Sequence, residues 1–257
     1  MNPVAITIGN IQIRWYSILI LIAFTIGYFI VLKKGRNKGI STIHINDMSF
    51  YLVVFCILGA RLYYCLFNFD YYKENLIEII QVWNGGLAIH GGIIAGILFL
   101  LFYTRKHDIR ILDMTDIIAP ALALGQAIGR WGNFFNKEAY GPATTYFELR
   151  RLHIPEFIMN GMYINGTFHH PTFLYESLGC LIIFIILMII SSIKKFNKGL
   201  ITGIYFILYG TIRFFIESLR TDSLMFNNFK VAQIISVIMC IIGILLILIP
   251  IFRRKHD

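Results

Sequence analysis

Four arginines stand apart from the other basic residues of this chain, because each lies inside or at the end of a long apolar run: Arg14, Arg61, Arg130 and Arg213. A charge at the centre of such a run costs about 2.5–3.5 kcal/mol even on lenient scales, so it usually faces a cavity, pairs with a carboxylate or binds an anionic substrate. Arg14 sits at a helix start and can send its head to the polar boundary, and it is given no role. Carboxylates are available to the others in Asp116, Glu176 and Glu217. Arg213 and Glu217 are four residues apart and therefore share a helix face. Taken singly, Arg61 and Asp116 read as members of structural ion pairs. Three buried arginines in one small protein argue for more than structure.

Two glycine-rich stretches carry the remaining polar candidates. The first, Gly129-Arg-Trp-Gly-Asn-Phe-Phe-Asn-Lys-Glu-Ala-Tyr-Gly141, sets Arg130, Asn133, Asn136 and Glu138 at a helix end. Its glycines allow close approach to the backbone. A planar guanidinium fork suits phosphate oxygens, and asparagine amides add neutral donors. Read alone, the stretch serves equally as a helix terminus with ordinary polar caps. The second, Trp83-Asn-Gly-Gly-Leu-Ala-Ile-His-Gly-Gly92, places His90 among four glycines that permit irregular backbone and a cavity. Histidine accepts a proton near neutral pH, but a lone histidine is more often a satisfied hydrogen-bonding residue. The Gly92-xxx-Gly96 spacing reads as helix packing. No metal or cofactor is expected: His169 and His170 have no carboxylate or thiol at ligand spacing, and Cys56, Cys65, Cys180 and Cys240 lie in apolar stretches as packing residues.

The elements that must position these groups follow from composition. Of 257 residues, 57% are hydrophobic and 14% charged, and the mean hydropathy is +0.70. Soluble domains carry about 25% charged residues. There is too little polar sequence here to cover a soluble core, so the chain is an integral membrane protein. On a ruler of about 20 apolar residues per helix, seven spans are predicted, with ends good to a few residues: Tyr16 to Leu32, Asp47 to Phe67, Leu87 to Tyr103, Met114 to Phe134, Thr172 to Ser192, Leu200 to Leu219 and Val231 to Ile251. The runs are continuous and do not alternate, which excludes a transmembrane barrel. The expectation is an all-α bundle forming one multi-pass domain over residues 1–257, with residues 136–171 as a small extracytoplasmic cap.

The net charge of +9 does not point to nucleic acid, because the basic residues sit in short clusters between apolar runs. Those clusters are Lys33/Lys34/Arg36/Lys38, Arg105/Lys106/Arg110, Lys194/Lys195/Lys198 and Arg253/Arg254/Lys255, thirteen of twenty-three Lys and Arg residues. They fall on one side if the N-terminus is outside and the C-terminus cytoplasmic. The first span is followed by such a cluster and not by a small-residue cleavage site, so it reads as retained.

The stretches together resemble the bacterial phosphatidylglycerol–prolipoprotein diacylglyceryl transferases. GRWGNFFNKEAYG matches that family's G-R-x-G-N-F-x-N-x-E-x-x-G signature at every fixed position. Arg14-Trp15-Tyr16, GGLAIHGG, HPTFLYE (His170 to Glu176) and RFFIESLR (Arg213 to Arg220) follow the family's pattern. The resemblance implies transfer of the diacylglyceryl group of phosphatidylglycerol to the lipobox cysteine of a preprolipoprotein, in the cell membrane, giving a thioether and glycerol phosphate. It makes Tyr16, His90, Arg130, Asn133, Glu138, Gly141, Arg213 and Glu217 the positions of interest. On that basis Arg130 and Arg213 take the phosphate, Asn133 and Tyr16 position the headgroup, and Glu138 and Glu217 orient the arginines. His90 is the candidate base for the thiol; alternatively the arginine field lowers the thiol pKa and His90 orients or binds. A transporter is the competing class, since buried charges also mark ion pathways. No internal repeat supports it.

Overall fold

The computed structural model describes residues 2–9, 11–192, 197–221 and 223–253. Lys194, Lys195, Arg254 and Lys255, from two of the basic clusters, lie outside the described residues. Seven helices are long and apolar enough to cross a membrane: α1 (Trp15–Asn37), α2 (Thr42–Phe67), α4 (Ile89–Lys106), α5 (Ile111–Asn136), α8 (Thr172–Ile190), α9 (Leu200–Leu219) and α10 (Val231–Arg253, apolar to Ile249). The protein is therefore an all-α, multi-pass membrane protein, as predicted. Span ends differ where polar caps act beyond the apolar run. Thus α2 starts at Thr42, ahead of the expected Asp47, because the Ser41 hydroxyl accepts the Ile43 N–H at 3.3 Å. Only 11% of the most apolar stretch of α10, and 17% of those of α1 and α2, is buried in protein. Side chains such as Phe29, Leu62, Ile241 and Leu245 are left bare, an apolar surface suited to lipid.

The chain divides into two compact units, one of residues 31–114 and one of residues 1–30 with 115–257. In the first, α2 and α4 meet backbone to backbone. A Cβ at Gly59 would fall 2.7 Å from the Gly91 carbonyl oxygen, one at Gly92 3.2 Å from Cys56 O, and one at Gly96 2.8 Å from Cys56 Sγ. The Gly92-xxx-Gly96 pair is thus a helix-packing seam. Between these helices lie a short α3 (Phe69–Tyr72) and two 3₁₀ turns, Leu76–Ile80 and Val82–Asn84. Among the described residues Arg61 forms none of the ion pairs expected of it. Its guanidinium instead donates to the carbonyls of Ile79 (3.0 Å), Glu78 (2.5 Å), Gly85 (2.6 Å) and Gly86 (3.2 Å), and lies 5.2 Å from the Tyr72 ring centre. A buried non-helical loop has unmet carbonyls, and one planar donor fork satisfies several of them.

The second unit holds the start of α1, the end of α5, and α8 to α10. It begins with an antiparallel hairpin of β1 (Val4–Ile8) and β2 (Ile11–Arg14), with Ile8 paired to Ile11. Small residues on α5 receive α1: a Cβ at Gly27 would sit 3.5 Å from that of Ala121. Ala119 and Ala123 of α5 pack with Ile183, Leu187, Ile201 and Tyr205 of α8 and α9. Asp116 serves structure by capping α9, whose own N-cap is Gly199. Its carboxylate accepts the Gly199 N–H (2.9 Å), the Thr202 N–H (2.9 Å) and the Thr202 hydroxyl (2.8 Å). Helices α9 and α10 close on Gly203 and Gly243, where an added Cβ on Gly203 would lie 2.8 Å from the Gly243 oxygen. A hairpin of β6 (Met225–Phe226) and β7 (Phe229–Lys230) joins them.

Residues 137–171 fold as a small subassembly of this unit. It has β3 (Ala143–Thr144), α6 (Tyr146–Arg151), α7 (Glu156–Gly161), β4 (Tyr163–Ile164) and β5 (Thr167–His169), the strands in antiparallel order β3-β5-β4. Leu149, Ile158, Met159 and Met162 form one core with Phe134 of α5 and Phe173 of α8, whose rings stack at 4.7 Å. Thr145 and Glu148 form a capping box on α6. The Thr144 hydroxyl (2.5 Å) and Thr145 N–H, both donated to Glu148, hold its carboxyl below the usual carboxylate range.

Candidate active site

The polar residues of the second unit gather where the start of α1, the end of α5, the start of α8 and the end of α9 come together. Chain direction alternates between successive spans, so these termini share one end of the unit. Its centre is Glu176 on the first turn and a half of α8, 2% exposed. One carboxylate oxygen, Oε1, takes Arg130 Nη2 at 2.6 Å, and the other, Oε2, takes Arg213 Nη1 at 3.1 Å. The Tyr209 hydroxyl also donates to Oε1, at 3.3 Å. One buried acid thus fixes two arginines that come from different helices.

Each arginine has a further anchor on its own helix. Arg213 Nη2 lies 2.6 Å from Glu217 Oε2, the pairing expected from their four-residue spacing. Arg220 Nε approaches the same oxygen at 4.0 Å. Arg130 Nη1 donates to Asn133 Oδ1 at 3.3 Å, and Asn133 Nδ2 passes the contact to Glu138 Oε1 at 2.9 Å. That oxygen also accepts Asn136 Nδ2, at 3.2 Å. The guanidinium side chains keep 21% (Arg130) and 15% (Arg213) exposure, against 2–3% for the carboxylates. Both carboxylates are thus more deeply buried than the arginine side chains they hold, which suits an arriving anion.

Local backbone explains how Glu138 reaches its place. Helix α5 ends in a turn where the Glu138 N–H bonds Asn133 O at 3.0 Å, and Lys137 takes a φ of 53° at the position that usually falls to glycine. Ala139 follows at φ 56°. Two non-glycine residues in the left-handed region flank Glu138, a conformation costing about 1 kcal/mol or more at each. It is held by the Thr172 hydroxyl, which donates to Ala139 O, and by Gly141, whose N–H donates to His170 O at 2.9 Å. A side chain on Gly141 would collide with His170, its Cβ falling 2.9 Å from that of His170. The two adjacent histidines have hydrogen-bonding places: His169 Nδ1 is 2.9 Å from Gly141 O and His170 Nδ1 3.2 Å from the Tyr175 hydroxyl.

Tyr16, on the first turn of α1, lays its ring on the backbone of Gly132, and neighbouring Trp15 stacks on Phe135 at 5.1 Å. At the far end of α9, Lys230 Nζ donates to the carbonyls of Glu217 (2.6 Å), Arg220 (3.0 Å) and Ser218 (3.4 Å). His90 belongs to the other unit, as the second residue of α4. It is exposed, with its ring 6.3 Å from that of Tyr63. Of the four glycines around it, Gly85 and Gly86 take positive φ (86° and 67°) and shape the loop, whereas Gly91 and Gly92 serve contact with α2.

The predicted residues Arg130, Asn133, Glu138, Arg213 and Glu217 are thus joined in one connected chain of contacts, with Tyr16 and Gly141 packed on the backbone beside it. Sequence reasoning understated Glu176, naming it only as a possible partner, and it did not single out Tyr209. The signal for Glu176 was its place as the last residue of HPTFLYE; nothing in the sequence marked Tyr209.

Residues 3–249 match the sequence profile of the family described as prolipoprotein diacylglyceryl transferase. The phosphatidylglycerol–prolipoprotein diacylglyceryl transferase of Clostridium novyi (strain NT) is 45% identical over 255 residues, covering 99% of this chain and 98% of the relative. Proteins of the same name from Streptococcus suis (strain 05ZYH33) and Listeria monocytogenes serotype 4a (strain HCC23) are 43% and 42% identical, covering 100% and 99% of this chain and 94% and 90% of their own lengths. By profile, by identity and by coverage, this chain belongs to the prolipoprotein diacylglyceryl transferase family.

Proposed function

We propose that this chain transfers the diacylglyceryl group of phosphatidylglycerol to the thiol of the lipobox cysteine of a prolipoprotein. The observation that carries the proposal is the Arg130–Glu176–Arg213 cluster: two guanidiniums held by one buried carboxylate, on side chains that are themselves part-exposed. The cysteine sulfur attacks the glyceryl carbon that bears the phosphate. The S–C bond forms as the C–O bond breaks, its electron pair stays on the phosphate oxygen, and glycerol phosphate leaves while the thiol proton passes to a base. Negative charge grows on the phosphate as the bond breaks, so fixed guanidiniums favour the transition state over the bound lipid.

Arg130 and Arg213 hold the phosphate, and Glu176 keeps both arginines in register before substrate arrives. Glu217 orients Arg213, and Asn133 with Glu138 orients Arg130. Tyr16 and Asn133 position the headgroup. Gly141 lets the loop close behind Glu138. The nucleophile is a thiolate with an ordinary pKa near 8.5, so the required activation is modest. His90 supplies the base, or orients the peptide while the arginine field lowers the thiol pKa. The reaction as written needs neither metal nor cofactor, and nucleic acid has no part in it. The protein sits in the bacterial cell membrane with its N-terminus outside, residues 136–171 as an outer cap, and the clusters at Lys33–Lys38 and Arg105–Arg110 on the cytoplasmic side.

The test is purified protein with phosphatidylglycerol and a synthetic lipobox peptide, read by peptide mass and glycerol phosphate release, with a Cys→Ser peptide as control. A mass gain of one diacylglyceryl group, absent with the serine peptide, is the expected result. No gain from folded, lipid-binding protein would overturn the transferase and favour a transporter.

A further inference from the structure

Two buried acceptor atoms of this contact network receive no hydrogen bond among the described residues: Asn136 Oδ1 and Glu217 Oε2. They differ in kind. Glu217 Oε2 lies 2.6 Å from Arg213 Nη2, so its charge is matched even though no N–H is aligned with it. Asn136 Oδ1 has no hydrogen bond and no ion-pair contact of that kind among the described residues. The orientation of this amide is not arbitrary, because its other atom, Nδ2, faces the Glu138 carboxylate, which only a donor can satisfy. The oxygen is therefore the atom left without a partner, and a buried carbonyl oxygen is costly to leave so.

The arginines present donors, and Asn136 Oδ1, on the same contact chain through Glu138 and Asn133, presents an acceptor. The site thus asks for a ligand that is both anion and hydroxyl or amide donor. In phosphatidylglycerol the phosphodiester and the two acyl esters only accept hydrogen bonds. The two hydroxyls of the headgroup glycerol are its only donors.

We propose that Asn136 reads the glycerol headgroup, its Oδ1 accepting a hydrogen bond from a headgroup hydroxyl while the arginines hold the phosphate. The proposal rests on the transferase activity above. It makes Asn136 a substrate-binding residue that selects lipid by headgroup. The competing donor, an N–H of the peptide substrate, is separated by the same experiment.

The experiment compares phosphatidylglycerol with phosphatidylpropanol, which has the same phosphate and acyl chains but no headgroup hydroxyl. Both lipids transfer the same diacylglyceryl group, so peptide mass reads both reactions. Wild-type protein should prefer phosphatidylglycerol in kcat/KM by about tenfold or more, the usual effect of an unmet buried acceptor. Asn136→Ala should lose more rate on phosphatidylglycerol than on phosphatidylpropanol, so that the preference shrinks at least about fivefold. If this variant does not fold, Asn136→Gln, which keeps the amide oxygen and an N–H for Glu138, takes its place and should retain part of the preference. Equal wild-type rates on the two lipids, equal losses in Asn136→Ala, or loss of preference in folded Asn136→Gln would each overturn the role of Asn136. All three leave the transferase standing. Absence of transfer from either lipid by folded wild-type protein would overturn the transferase, and this proposal with it.

Discussion

The ring of Tyr16 rests directly on the backbone of Gly132, so the first turn of α1 is seated on α5 two residues past Arg130. The contact exists because position 132 has no side chain. A methyl group there would occupy space now filled by the tyrosine ring.

Gly132→Ala therefore displaces Tyr16. The expected outcome is a loss of about 1–3 kcal/mol from overpacking and a fall in transferase rate. Adding Tyr16→Ala should recover part of the thermal stability in detergent but not the rate. If Gly132→Ala alone is as stable and active as wild type, Tyr16 has no positional role.

Glu176→Gln removes one charge that serves two arginines, in a side chain 2% exposed. Breaking a buried ion pair on one side costs about 3–5 kcal/mol, and an amide that retains some hydrogen bonding should lie at the low end. Thermal unfolding in detergent should show the loss, and kcat should fall more than KM rises, because the arginines lose their register. A variant with unaltered melting and rate would remove Glu176 from the centre of the site.

Arg130→Lys keeps the charge but cannot serve Glu176 and Asn133 at once, since both contacts use separate nitrogens of a planar fork. A drop of about tenfold or more in kcat/KM is expected from protein that still elutes as a folded species. Full activity in folded Arg130→Lys would exclude a bidentate hold on the phosphate.

His90→Gln separates the two ways of activating the thiol. With His90 as base, the rate falls and the acid limb of the pH profile disappears. With the arginine field as activator, the profile keeps its shape and any loss lies in KM.

Glu148 gives a pH dependence with a defined sign. Its carboxyl is held below the ordinary 4.5 by the Thr144 hydroxyl and the Thr145 N–H. A group depressed by folding stabilises the folded form above its unfolded pKa and loses that contribution as pH falls through the lower folded value. The capping box of α6 should loosen only in that acid range. A side-chain carboxyl titration followed by carbon NMR should show the Glu148 signal, identified by its absence in Glu148→Gln, titrating below the ordinary glutamate range.

The seven spans were legible because a bilayer demands runs of apolar residues and little else. The Arg213–Glu217 pair was legible too, since helix periodicity alone brings residues four apart together. Long-range sharing was not. Nothing local says that Glu176 meets arginines 46 residues before it and 37 after it, because that follows from how α5, α8 and α9 pack. Arg61 shows the opposite limit: its partners are loop carbonyls, and every residue has one, so composition holds no trace of the contact. The left-handed turn at Lys137 and Ala139 was equally hidden, as neither residue type signals it.

Lys230 has a consequence for the charge cluster, which it meets through the backbone of Glu217. The last turn of a helix ends in unpaired carbonyls, which act as a negative pole of roughly half a unit charge. In α9 that pole falls at Glu217, Ser218 and Arg220, one turn beyond Arg213, and Lys230 donates to all three carbonyls. If Arg213 holds the phosphate as proposed, the helix dipole would otherwise repel the phosphate at the same place. The ammonium of Lys230, the last residue of β7, offsets that pole and leaves the arginines to set the field at this end of the unit.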